Sequence, residues 1–70
     1  MNMEPEKTYL INHERKGRFT IKVMWQDDTW IHGKIVAGTA GAYLDYNTRH
    51  VADEITLRKS HIRSFNEVEQ

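Results

Sequence analysis

Hydrophobic and polar residues alternate with a period of two along much of this chain, most clearly from Phe19 to Tyr46. Phe19, Ile21, Val23 and Trp25 interleave with Thr20, Lys22, Met24 and Gln26, the spacing that sends successive side chains of a strand to opposite faces. A half-buried strand over 18–26 is predicted, with Trp25 on the inner face. Asp27-Asp28-Thr29 then offers hairpin chemistry, weaker than Asp-Gly. Ile31, Gly33, Ile35 and Ala37 next alternate with Trp30, His32, Lys34 and Val36, predicting a second strand over 29–38. A glycine inside such a strand marks a bend or a close backbone approach, and a bend at Gly33 curls a short sheet toward a barrel.

Small residues break the pattern from Gly38 to Gly41, and a third short strand is predicted over 42–46 with Leu44 on one face. Ile55 and Leu57 alternate within a fourth strand over 54–59, and Ile62 and Phe65 mark a fifth over 61–65. The acidic tail over 66–70 is predicted to fray. The N-terminus reads differently. Pro5 suits a first helical turn, Glu4 and Glu6 suit the positive end of a helix dipole, Arg15 and Lys16 the negative end, and Gly17 a helix stop. A helix over 4–16 is therefore predicted, lying on the sheet through Tyr9, Leu10 and Ile11. The expected fold is one mainly β domain over 1–70: a short N-terminal helix, then a five-stranded, strongly bent antiparallel sheet forming a small barrel. Exposed edges on strands four and five would let copies pair into a ring.

Composition narrows the chemistry. Seventy residues make one domain, whose core supplies about 3–5 kcal/mol without staples. There is no cysteine, and His13, His32, His50 and His61 are too far apart in sequence for a local ligand pair, so no metal or other cofactor is expected. No Ser/His/Asp set, carboxylate pair or phosphate-cradling glycine loop suggests an enzyme. No apolar leader or span follows the N-terminus, so the expected location is the cytoplasm, with no membrane partner. Ten basic and ten acidic residues cancel, which argues against a generic, strongly basic nucleic-acid binder. Local clusters remain at Arg15, Lys16 and Arg18 and at Arg58, Lys59 and Arg63.

The run Asn12-His-Glu-Arg15-Lys16-Gly-Arg18, the strand Thr20-Ile-Lys-Val-Met-Trp25, the acidic turn, Gly33 between polar neighbours, and Leu57-Arg-Lys-Ser-His-Ile62 together resemble the Sm-like family. Its Hfq-like bacterial branch of RNA chaperones is the nearest. The resemblance implies a homo-oligomeric ring, usually of six subunits, that binds single-stranded RNA on three surfaces. On the rim, Asn12, Arg15, Lys16 and Arg18 match the family's asparagine and arginines. At the pore, Lys59 matches the lysine, Ser60 and His61 stand at and beside the histidine position, and Gly41-Ala42 replaces a Gln-Phe pair, leaving Tyr43 as the nearby aromatic. On the distal face, Met24, Thr29 and Ile31 fall at base-contacting positions, with Trp30 supplying a stacking surface. Asp27 and Asp28 at that end repel phosphate.

Several of these residues also have a structural reading. Trp25 suits a core position and Trp30 a subunit interface; Arg15, Lys16 and Arg18 suit a solvated helix end; His61 suits a packed histidine; Asp27-Asp28 suits a plain turn. Aromatics flanked by cations are what a single-strand RNA site needs, and Trp30, Tyr43 and Tyr46 with Lys22, Lys34 and Arg49 supply them. The alternative function is an SH3-like small barrel that binds protein through an aromatic groove, without RNA.

Overall fold

The computed structural model describes residues 3–38, 40–43 and 52–69. Five strands, β1 (Thr8–His13), β2 (Gly17–Gln26), β3 (Trp30–Gly38), β4 (Glu54–Arg58) and β5 (Ile62–Glu67), are joined with two short 3-10 helices, Ala40–Tyr43 and Lys59–His61. All the strand pairs are antiparallel, in one sheet of order β4-β3-β2-β1-β5.

The predicted N-terminal helix is a strand. Tyr9, Ile11 and His13 are buried while Leu10 and Asn12 are only half-buried, a period of two that the capping signals masked. Pro5 and Glu6 instead make a turn, with Glu6 at φ 71°. Gly17, at φ 78°, serves the hairpin into β2, where it pairs with His13. Pairing on both sides, with β2 and β5, outweighs the weak helical preference of so short a segment.

The predicted third strand is also corrected. Ala42 and Tyr43 belong to the first 3-10 helix, and Leu44, Tyr46 and Arg49 lie outside the described residues. Asn66 and Glu67, assigned to a frayed tail, extend β5 against Leu10 and Tyr9. The inward placement of Trp25 is corrected as well. An irregularity between Val23 and Trp25 inserts Met24 as an extra residue opposite β3, so Trp25 turns outward while Phe19, Ile21 and Val23 stay inside.

The sheet is curled. Arg58 ends one edge strand and Ile62 begins the other, with only Lys59–His61 between them. In a flat sheet those edges stand about 19 Å apart, but four Cα steps reach only about 14 Å. Each edge strand still pairs with one neighbour, β4 with β3 and β5 with β1, so the sheet does not close on itself as a hydrogen-bonded barrel. Its concave side holds Met3, Ile11, Phe19, Ile21, Val23 and Ile31, all essentially inaccessible. Among the described residues no helix is long and apolar enough to cross a membrane.

Candidate nucleic-acid interface

The outer face of β2, β3 and β4 carries side chains that burial does not explain. Met24, Trp25, Trp30 and Val36 are exposed by 48%, 45%, 40% and 38%. Large apolar groups grouped on one face mark interaction surfaces more often than single ones do. Trp25 lies opposite His32 across β2 and β3, and their rings stack at a centroid separation of 5.6 Å and 10° between planes. His32 is fixed in turn by β4: its Nδ1 lies 2.8 Å from Thr56 Oγ1 and its Nε2 3.3 Å from Glu54 Oε1. A carboxylate only accepts, so Nε2 donates to Glu54 and, in the neutral ring, the Thr56 hydroxyl donates to Nδ1. Trp30 is braced separately. It pairs with Arg58 of β4, whose guanidinium carbon sits 5.6 Å from the ring centroid, within cation–π range.

Lys22 and Lys34 also oppose each other across β2 and β3. Two like charges opposite one another disfavour pairing. Each has an exposed acid at long range, Glu6 at 3.6 Å from Lys22 and Asp53 at 3.8 Å from Lys34, contacts of little energetic weight.

The β2–β3 turn is built by Asp27. Its Oδ1 accepts from the amides of Thr29 at 2.8 Å and Trp30 at 2.7 Å, and its own amide donates to the Trp30 carbonyl at 2.9 Å. The amide bonds from Trp30 first, then Thr29, hold the Asp27 carboxyl below the usual carboxylate range.

The second 3-10 helix ties that turn to the β1–β2 turn. The Lys59 amide donates to Thr29 O at 2.8 Å, and at the other end the Glu14 amide donates to His61 O at 3.0 Å. Lys59, Ser60 and His61 thus run from the edge of Trp30 to the turn that carries Arg15 and Lys16. Asn12 and Arg18 oppose each other at the base of that turn. The four rim residues are therefore grouped, by a hairpin rather than a helix. Lys16 Nζ donates to Ala42 O at 3.3 Å, and the Arg15 and Lys16 amides donate to His13 Nδ1 at 3.1 and 3.2 Å. His61 Nε2 stands 3.7 Å from Glu14 Oε1.

Two assigned residues lie elsewhere. Tyr43 is half-buried against the core in the first 3-10 helix. Ile31 is fully buried and has no surface for a base. Trp25, His32 and Thr56 were not assigned to the site from sequence, and Arg58 was singled out only within a basic cluster. His32 was readable as an outward neighbour of Trp30, whereas Trp25 was hidden by the extra residue at Met24. Among the described residues no group of three or more His, Asp or Glu side chains is arranged to hold a metal ion. Comparisons with family models, with curated proteins and with solved structures find no match to this chain.

Proposed function

We propose that this chain is a small Sm-like domain that binds single-stranded RNA across the outer face of β2, β3 and β4 and along the adjoining basic segment, in the manner of an RNA chaperone. The observation that carries this reading is the pair of exposed, braced tryptophans. Trp25 is held by His32 and Trp30 by Arg58, and both stay exposed, the arrangement an unpaired base needs for stacking. A base stacked on an aromatic gains about 1–3 kcal/mol whatever its sequence. Duplex RNA, whose bases are already stacked, offers no such partner. Phosphates need cations nearby, and the second 3-10 helix, which carries Lys59 and follows Arg58, is tied to the β1–β2 turn of Arg15 and Lys16, with Arg18 at the base of that turn. Acids at Asp27 and Asp28 limit the track at one end, in keeping with a chain whose charges cancel.

The same reading includes a homo-oligomeric ring. Among the described residues β4 and β5 each pair on one side only, and an unpaired edge is a template for another strand. Pairing β4 of one copy with β5 of the next is a head-to-tail contact that closes when the rotation allows.

A second reading is favoured by one observation: the segment expected to form the Sm-like helix lies inside the sheet as β1. On that reading the chain is an SH3-like small barrel, and Trp25, Trp30, Met24 and Val36 form a docking surface for protein.

Titration of a labelled single-stranded RNA, beside a duplex of equal length, at several salt concentrations separates the two. The RNA reading expects tighter binding of the single strand, with log affinity falling linearly against log salt. Light scattering then expects the mass of a ring. A monomer with no RNA affinity at low salt overturns the RNA reading in favour of the second.

A further inference from the structure

The Arg15 and Lys16 amides share one acceptor, the Nδ1 of His13, at 3.1 and 3.2 Å. An imidazole nitrogen accepts only when it carries no hydrogen, which fixes the tautomer: Nδ1 bare, the hydrogen on Nε2. We propose that His13 is an acid-sensitive latch on the β1–β2 turn, holding Arg15 and Lys16 in place while neutral and releasing them when protonated. Protonation puts a hydrogen on Nδ1, and that atom then faces two donors with none of its acceptor capacity left. His13 is 6% exposed and fixed between β2 and β5, opposite Gly17 and Ile62, so its strand holds it beside the two amides.

The surroundings set the direction. From the second 3-10 helix, His61 meets His13 edge-on at a centroid distance of 6.0 Å. From the turn come Glu14, Arg15 and Lys16; β2 contributes the uncharged Phe19 ring at 6.4 Å and β5 the uncharged Ile62. Burial first, then the neighbouring His61, Lys16 and Arg15, lower the affinity of His13 for a proton, and Glu14 opposes them only in part. A histidine lowered in the folded state contributes stability that is fully present above its unfolded value of about 6.5. That contribution is lost as the pH falls through the lower folded value. Acid, not base, opens the latch.

The regulatory meaning rests on the RNA reading, since Arg15 and Lys16 are the cations that the latch presents. The latch itself is tested in the free protein. Amide and imidazole nitrogen signals are followed by NMR from pH 7.5 to 5 in the full chain and in two variants. In the wild type, His13 Nδ1 reads as unprotonated at pH 7.5, and the Arg15 and Lys16 amides shift together as His13 titrates, while those of Ile21 and Val23 hold still. His13→Asn supplies a side-chain oxygen at the same offset from the two amides and cannot titrate; its turn is expected to stay closed at pH 5. His13→Phe fills the volume without an acceptor and is expected to leave the two amides exchanging faster at every pH. A bare Nε2 at pH 7.5, or an unchanged response of the two amides in His13→Asn, overturns the latch. If the latch holds but the chain shows no RNA affinity, the RNA reading fails and the latch stands.

Discussion

The carbonyl oxygen of Lys22 lies 2.6 Å from the point that a Cβ on Gly33 would occupy. The nearby Lys22 carbonyl carbon, at 3.2 Å, is also backbone, so a rotamer change relieves nothing. Gly33→Ala is expected to force β2 and β3 apart at their central rung and to cost about 1–3 kcal/mol. Urea unfolding followed by tryptophan fluorescence measures it as a lower midpoint with an unchanged slope.

Met3 is fully buried in the core although it stands outside every strand. The Gln26 side chain holds it there, accepting from the Met3 amide at 3.4 Å and donating to its carbonyl. Met3→Ala is expected to cost about 2–5 kcal/mol, comparable with the whole stability of so small a domain. A largely unfolded circular-dichroism spectrum at 37 °C is the expected result.

Asp27 holds the β2–β3 turn through a carboxylate that accepts two amides, and its proton affinity is lowered in the folded state. Its contribution is present above the unfolded aspartate value and is lost as pH falls through the lower folded one. Asp27→Asn is expected to keep a turn-forming oxygen yet flatten the stability profile between pH 5 and 2. Asp27→Ala lowers stability at neutral pH as well. Thermal melts across that range distinguish the three proteins.

Trp25 and Trp30 contribute little to the core, so Trp25→Ala and Trp30→Ala are each expected to cost about 1 kcal/mol or less in stability. RNA affinity is expected to fall about 5- to 150-fold for each. Parallel unfolding and RNA-titration curves check both halves. A large stability loss with unchanged affinity would return these tryptophans to a structural role.

Much of the fold was legible in the chain. The alternation through β2 and β3, and that at Ile55 and Leu57, gave three strands close to their observed bounds. What misled was local chemistry with two uses. Pro5 and Gly17 fit the ends of a helix, but each also makes a turn, and Tyr9-Leu10-Ile11 is too short for its period to decide. The partners that decide it are Ile21 and Phe19 across the hairpin on β2 and, far along the chain, Phe65 on β5. The site was legible in part for the same reason. Trp30, Lys59 and the Arg15–Lys16 pair were singled out, but their adjacency depends on a 3-10 helix that alternation does not encode. Trp25 faces outward because of one inserted residue, which no count of apolar positions reveals.

The 3-10 segment Lys59–His61 also bears on how the chain reaches its fold. Its two anchoring bonds join stretches far apart in sequence, Thr29 with Lys59 and Glu14 with His61. Contacts of that kind close long loops and form slowly. The β1–β2 and β2–β3 hairpins, which are local, are expected to form first. Fastening the two edges of the curl comes last, so the basic segment takes shape only in molecules that have completed the rest of the fold.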